Sequence, residues 1–263
     1  MRTYVVTGSA SGIGKAAAAK LMEQGHRVIG VDLRAADVVA DLSTPAGREQ
    51  AVGGVLDASD GRLDALIANA GLATPTPTTV SVNYFGTVAL IEGLRPALVD
   101  SAAPRIAVTS SMASLYPPST DLVDACLAGD EQSALAIAAE LAKDPRAGNL
   151  IYGSTKRAVG RWIRRVAATA EYAGAGIPIN AAGPGVVETP MTAELLATPE
   201  STAAVDAVVP MPLGGHLAAG DVAELLLWLT SPANTHLCGQ TIYIDGGSDV
   251  VMRGEDIWSW HDS

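Results

Sequence analysis

Aromatic residues are scarce: the chain holds one Phe, six Tyr and four Trp among 263 residues. With Ala, Val and Gly in surplus, the composition suits helices packed closely on a buried parallel sheet. Cysteine is nearly absent. Cys126 and Cys238 form no metal-ligand spacing and no disulfide framework, so no metal is expected and the cytoplasm is the default compartment. Positive charge is also short, with 17 Lys and Arg against 28 Asp and Glu, a formal net charge of −11. That balance argues against a nucleic-acid surface and favours solubility. No apolar run reaches the roughly 18 residues that suggest a membrane span. No charged-then-apolar leader is expected, because the first strand starts at about Thr3.

What is present is a regular alternation of short apolar runs and longer helical stretches. Strands are predicted near 3–7, 27–31, 37–40, 64–68, 105–109, 177–181 and 240–244. Helices are predicted near 12–24, 44–57, 83–100, 151–173 and 220–230. The alternation implies an α/β fold: one Rossmann-type domain over 1–263, a doubly wound parallel sheet with helices on both faces. No internal repeat or linker divides it, and the proline-rich stretches 73–77 and 199–212 read as loops.

The chain opens with Tyr4-Val5-Val6-Thr7, a short apolar run of strand character. Gly8-Ser9-Ala10-Ser11-Gly12-Ile13-Gly14-Lys15 and an alanine-rich helix follow at once. Strand, glycine-rich turn and helix in that order are the context that a dinucleotide phosphate site needs. Gly8 permits a tight turn, Gly12 lets backbone approach a pyrophosphate, and Gly14 allows close packing of helix on strand. An ordinary glycine-rich turn is the plain alternative. The second strand ends at Asp32, 18 residues beyond Gly14. A carboxylate there accepts from both ribose hydroxyls of NAD and repels the 2′-phosphate of NADP. Arg34 could pair with that phosphate, whereas Ser11 offers it no basic group. NAD is the expected cofactor; for Asp32 the alternative is a solvated strand-end acid.

Tyr152 and Lys156 are four residues apart on a helix, so their side chains share one face about one turn apart. An ammonium beside a phenol favours the phenolate and lowers its pKa from about 10. A phenol tuned in that way passes protons to and from an alcohol. Alone, the pair is a weak signal, because helices carry Tyr-x-x-x-Lys by chance. Ser110 and Ser111 follow the strand 105–109, at the carboxyl end where doubly wound sheets bind ligands. Asn83 lies in a helical stretch, where asparagine is mildly unfavourable, a weak hint of function.

Taken together and in order, these motifs resemble the short-chain dehydrogenase/reductase family from Thr3 to Gly247. They are Thr7-Gly8 through Gly14, Asn69-Ala70-Gly71, Asn83, Ser110-Ser111, Tyr152 with Lys156, Pro184-Gly185 and Ile244-Asp245-Gly246-Gly247. More narrowly, Val31 to Arg34, Ala40 to Thr44, Val80 to Gly86 and Val251-Met252-Arg253 resemble the bacterial 3α-hydroxysteroid dehydrogenase/carbonyl reductase group. The resemblance implies a seven-stranded sheet in the order 3-2-1-4-5-6-7. It also implies four catalytic residues, Asn83, Ser111, Tyr152 and Lys156. Tyr152 exchanges the hydroxyl proton, and Ser111 donates to the substrate oxygen, with Ser110 as the neighbour to consider. Lys156 lowers the phenol pKa and bonds the nicotinamide ribose, while Asn83 holds a water linking the lysine to solvent. Hydride passes between the substrate carbon and C4 of the nicotinamide.

The same resemblance extends the cofactor site. It adds Ser11 and Ile13 in the turn, Leu33 beside Asp32, and Asp41 with Leu42 at the adenine pocket. Asn69, Ala70 and Gly71 border the cofactor. Pro184 and Gly185 lie in the segment that contacts the nicotinamide, with Val187 and Thr189 at its carboxamide. Ordinary loop chemistry is the alternative for Asp41, Leu42 and Asn69 to Gly71.

Ser111 and Tyr152 are 41 residues apart, far more than most relatives need. The extra segment, about 116–149, is alanine-rich and amphipathic at 121–142, which predicts one or two helices ended by Asp144-Pro145. It is either a surface elaboration or a cover over the helix pair through which many relatives form tetramers. The second reading predicts a homodimer through the final helix and strand. The pocket floor is expected at 112–118, 149–152 and 185–215, with a substrate loop at about 190–215. Met112, Leu115, Met191, Leu195, Leu196, Met211 and Leu213 make it apolar. A small hydrophobic alcohol or ketone fits such a pocket. The stretch 199–212 is a candidate lid or a loose loop. The tail Gly254–Ser263, with Trp258 and Trp260, caps the pocket, joins a dimer contact or does neither. The expected function is an NAD-dependent dehydrogenase/reductase of steroids or comparable apolar carbonyl compounds. An aryl or allylic (coniferyl-type) alcohol dehydrogenase and a non-catalytic dinucleotide-sensing regulator are the alternatives. A sensor has no need of a proton relay.

Overall fold

The strand β1 (Thr3–Thr7) carries apolar side chains on both faces, as a strand covered by helices on both sides must. Val5 enters one apolar cluster, while Tyr4 and Val6 enter a second on the opposite face. In the computed structural model, which describes residues 1–257, β1 lies near the middle of the sheet. The chain continues through α1 (Gly12–Glu23), β2 (Arg27–Asp32), β3 (Val38–Val39), α2 (Pro45–Ser59) and β4 (Ala65–Ala68). A helical stretch then runs in three pieces: α3 (Pro77–Val80), a π-helical segment (Ser81–Gly86) and α4 (Thr87–Leu94). After β5 (Arg105–Thr109) comes a 3₁₀ turn (Met112–Leu115), then α5 (Thr120–Ala128), α6 (Glu131–Leu141), α7 (Pro145–Gly148) and α8 (Leu150–Ala167). The last part holds β6 (Ile179–Pro184), β7 (Val187–Glu188), α9 (Pro199–Val208), β8 (Leu217–Ala218), α10 (Ala219–Thr230), β9 (Thr241–Ile244) and α11 (Ser248–Arg253).

The main sheet has seven strands in the order β3-β2-β1-β4-β5-β6-β9. Every neighbouring pair is parallel. This is the expected doubly wound architecture. Leu90, Ile91, Ile151 and Ile163, from α4 and α8, bury one face of it. Ala17, Leu21, Leu226 and Leu229, from α1 and α10, bury the other. Truncating a fully buried leucine such as Leu21 to Ala costs about 2–5 kcal/mol in such a core.

Several boundaries differ from expectation. The helix expected to start at 83 starts at Pro77, because Thr76 leaves extended backbone and Pro77 takes the first helical position. The helix expected to reach 173 ends at Ala167. Asp144-Pro145 does not close the insertion. Helix α6 ends at Leu141, and the Asp144 carboxylate caps a new turn by accepting from Arg146 and Ala147 N–H. The stretch 199–212, expected as loop, contains α9: Thr198 and Ser201 form a capping box, with Pro199 at the first position. The two-residue strands β7 and β8 pair outside the main sheet and are too short to leave a period in the sequence.

The insertion forms two main helices, as expected. Leu122, Val123 and Cys126 of α5 are buried, and α5 packs on α8. Arg48 of α2 grips Glu131 of α6 through both carboxylate oxygens, at 2.7 and 2.6 Å. Trp258 and Trp260, with three roles open to them, lie outside the described residues.

Candidate active site

The strand order reverses between β1 and β4, and their carboxyl ends open a crevice. The glycine-rich turn forms one wall. Gly8 and Gly12 hold φ of +67° and +52°, where a side chain is strained. A Cβ on Gly14 would stand 2.2 Å from the Gly8 carbonyl oxygen, so no other residue fits there. Ser11 precedes α1 without a side-chain capping bond, which leaves the first-turn N–H groups available to an anion. Asp32, at the end of β2, accepts from Ala10 N–H at 3.0 Å and from Leu33 N–H at 2.7 Å. The acid therefore braces the turn while keeping oxygen lone pairs for a ligand. Uncapped N–H groups, a turn closed to side chains and a strand-end carboxylate together fit a dinucleotide.

Asn69 knits the strand ends. Its N–H donates to the Thr7 hydroxyl at 2.9 Å, and its side-chain oxygen accepts from the Thr109 hydroxyl at 2.9 Å. Ala70 N–H donates to the same Thr7 hydroxyl at 2.8 Å. These bonds hold β1, β4 and β5 together beneath the crevice.

On the other wall, α8 buries Ile151, Ser154, Thr155, Ala158 and Val159, which turns Tyr152 and Lys156 toward the strand ends. The Lys156 ammonium donates to the Thr109 carbonyl at 2.7 Å. Burial pulls its pKa down to about 8. Burial also pushes the Tyr152 phenol up, and the neighbouring Ser111 hydroxyl pulls it back. The Lys156 ammonium lies 5.7 Å from the Tyr152 ring centroid and gives one of its three N–H groups to a carbonyl, while the Ser111 hydroxyl pulls the phenol down. Ser110 turns away, donating to the Lys156 carbonyl at 3.4 Å. Of the serine pair, Ser111 is the one that reaches Tyr152.

Asn83 lies in the π-helical segment, a distortion often found near functional sites. Its amide exchanges bonds with Leu72, accepting at 2.8 Å and donating at 2.9 Å, and donates to the Thr155 hydroxyl at 3.2 Å. Gly71 separates it from the lysine: a Cβ there would lie 3.3 Å from Asn83 Oδ1 and 3.5 Å from Lys156 Nζ.

One cavity brings most of the expected residues together. Gly8, Ser11, Gly12 and Ile13 line one side, Asn69, Ala70 and Gly71 the floor, and Ser111, Tyr152 and Lys156 the reactive end. Pro184, Gly185, Val187 and Thr189 close the far side. Gly14, Asp32, Leu33, Asp41, Leu42 and Asn83 are not among its lining residues. Leu42 is buried in the core, and the Asp41 carboxylate accepts from Ser43 N–H at 2.9 Å. Met112, expected in the pocket, is instead buried with 2 % exposure and does not line the cavity. Met191 does line the cavity, and Met211 seats its sulfur over Gly185. Sequence reading missed Thr109 and Thr192. Thr192 accepts from Thr189 N–H at 3.1 Å, folding the loop after β7 across the cavity. The Thr-x-x-Thr spacing was the available signal. Among the described residues, no cluster of His, Cys, Asp or Glu could hold a metal, and no helix is long and apolar enough to cross a membrane.

A doubly wound sheet with a serine, a tyrosine and a buried lysine in its switch-point crevice defines a Rossmann-type oxidoreductase. Comparison with known proteins narrows the class. The family model described as short chain dehydrogenase matches residues 2–123, and that described as Enoyl-(Acyl carrier protein) reductase matches residues 145–249. The chain is 37% identical over 258 residues to the 3-alpha-hydroxysteroid dehydrogenase/carbonyl reductase of Comamonas testosteroni, covering 96% of this chain and 98% of that one. The solved 3-alpha-hydroxysteroid dehydrogenase of Pseudomonas sp. B-0831, complexed with NADH, superposes with a TM-score of 0.88 at 38% identity, covering 97% and 100% of the two chains. RhlG of Pseudomonas aeruginosa, in a complex with NADP, superposes at 0.74 with 25% identity, covering 94% and 96%. The chain belongs to the short-chain dehydrogenase/reductase family and is an oxidoreductase of that family.

Proposed function

We propose that this protein is an NAD-dependent dehydrogenase that interconverts a hydrophobic secondary alcohol and its ketone, in the manner of the 3-alpha-hydroxysteroid dehydrogenase/carbonyl reductase it resembles. The observation that carries this reading is that Ser111, Tyr152 and buried Lys156 line one end of the same glycine-walled cavity. Bound nicotinamide supplies a hydride acceptor or donor. The Tyr152 hydroxyl takes the alcohol proton, or returns it to the carbonyl oxygen, within hydrogen-bond reach. The Ser111 hydroxyl orients the same oxygen and stabilises charge on it. Lys156 Nζ, held by the Thr109 carbonyl, keeps a positive charge at the base of the site. Asn83 fixes the segment at Leu72 that borders this lysine.

Asp32 supports the choice of NAD, since its carboxylate would meet a 2′-phosphate as a like charge. Met191 lines the cavity, and Leu195, Val208 and Leu213 are further exposed apolar side chains on the chain that follows it, which supports an apolar substrate. Two free thiols support a reducing cytoplasmic compartment.

A spectrophotometric screen of NAD reduction with steroid, terpene and aromatic alcohols tests the proposal. Steroid or terpene alcohols should turn over, with NAD preferred to NADP. Tyr152→Phe should lower kcat by about 10²-fold or more. Preference for aromatic alcohols would replace the substrate class, and NAD binding without any turnover would point to a sensor. Asp32→Ala should relax the cofactor preference; an unchanged ratio removes Asp32 from the ribose site.

A further inference from the structure

On α8 the residue after Lys156 is Arg157, a side chain whose charge has no carboxylate partner within the hydrogen bonds it makes. Its Nε donates to the Ser114 carbonyl, and its Nη2 donates to the Tyr116 carbonyl at 2.9 Å. Both carbonyls belong to the end of the 3₁₀ turn that starts with Ser111. Gly153 lies one helical turn earlier on the same face of α8, and a Cβ there would stand 2.9 Å from the Ala113 carbonyl oxygen. One face of α8 thus grips two carbonyls of this short turn and lies close against a third. At the turn's start, the Ser111 hydroxyl accepts from Ala113 N–H at 3.1 Å, so its position is tied to the turn's backbone. At its end, the Tyr116 hydroxyl donates to the Val208 carbonyl, the last residue of α9. No residue of α9 is buried, so polar contacts of this kind carry much of its attachment.

We propose that Arg157 is a positioning residue that sets Ser111 against Tyr152 and, through Tyr116, anchors α9, the helix that follows the cavity-lining segment 189–192. A planar guanidinium reaches two carbonyls at once with fixed geometry, which a lysine ammonium on a flexible stem does not reproduce. Because Arg157 touches neither the cavity nor Tyr152, its effect passes through the turn. The inference rests on the dehydrogenase reading, and its test is built to fail separately from it.

The test compares Arg157→Met, Arg157→Lys and Tyr116→Phe with the natural chain, using NAD and a hydrophobic secondary alcohol. Arg157→Met should lower kcat by about tenfold, as loss of a well-aligned hydrogen-bonding hydroxyl does. It should also move the ascending limb of kcat/KM for oxidation to higher pH, because Ser111 then lowers the phenol less. Arg157→Lys should recover only part of both effects. Tyr116→Phe should leave the limb in place and raise KM for a bulky alcohol several-fold. A limb and a kcat unchanged in Arg157→Met would overturn the proposal while leaving the function intact. If the natural chain turned over no alcohol, amide deuterium exchange would still decide. Exchange should speed up at 112–116 and 199–208 in Arg157→Met and stay unchanged at 120–128. Equal exchange at 112–116 and 199–208 in both proteins would sink it.

Discussion

At the residue scale, the decisive group is a phenol held above its ordinary pKa by burial and lowered by one serine. Alcohol oxidation needs the phenolate, so kcat/KM should climb with pH toward the phenol pKa. Removing the serine takes away the interaction that favours the phenolate. Ser111→Ala should therefore carry the ascending limb to higher pH. Oxidation at neutral pH should fall about tenfold for every pH unit that the limb moves. A limb that stayed in place or moved to lower pH would contradict the assignment. Lys156 gives a second test, read in stability. Its pKa falls from 10.5 in the unfolded chain to about 8 in the fold. Between those values the unfolded state binds more protons, so stability should rise with pH across about 8 to 10.5 and be lost as pH falls through about 8. The full cost of the buried charge, below that window, is on the order of 3 kcal/mol. Lys156→Met should flatten this rise, seen as the difference in urea midpoint between pH 7 and pH 10; an undiminished rise would assign the titration elsewhere. The Tyr152–Lys156 pair was legible because helical spacing fixes which side chains share a face. The partner of Lys156 was not legible, because a carbonyl at the end of β5 is brought there only by the tertiary fold.

At the element scale, the insertion is held to the body partly by Arg48. This guanidinium is buried, donates to the Leu42 carbonyl at 2.8 Å and the Ser81 carbonyl at 3.2 Å, and forks onto Glu131. Glu131→Ala leaves a buried cation without its counter-charge. The expected loss is about 3 kcal/mol, at the lower edge for buried pairs because 26% of the Glu131 side chain stays exposed. Urea unfolding measures it, and a loss near zero would mean that water replaces the carboxylate. Arg48 also connects the stretch after β3 with the π-helical segment bearing Asn83, so the same change should loosen both. Elements were legible in proportion to their length and period. The seven strands of the main sheet stood out as apolar runs of regular spacing, and the amphipathic stretch in the insertion predicted its helices. Helix α9 did not stand out, because Pro199 reads as a breaker although its fixed φ suits a first helical position. The strands β7 and β8, two residues each, carry no pattern at all. Cavity residues on those elements were correspondingly the hardest to foresee, Thr192 among them.

At the scale of the whole molecule, the insertion decides which surfaces remain for assembly. Helix α5 lies against α8, with Arg165 of α8 donating to the Leu127 carbonyl at 2.7 Å and Ser154 accepting from Ser119 N–H at 2.9 Å. A neighbouring subunit cannot pack on the part of α8 that α5 already covers. The edge of the sheet beside α8 is different. Strand β9 is an edge of the main sheet, and an uncovered edge favours pairing with another chain. On α10, Trp228 is 47% exposed, a large apolar side chain on a helix whose inner face is already filled. An isologous contact through α10 and β9 would cover both features with one two-fold axis and would close at two copies. Light scattering should therefore report a dimer. Trp228→Glu places two carboxylates near that axis and should shift the equilibrium toward monomer while NAD binding, at the far ends of the strands, persists. A particle of four chains would show that α5 and α6 leave the second contact open. A dimer insensitive to Trp228→Glu would move the interface away from α10.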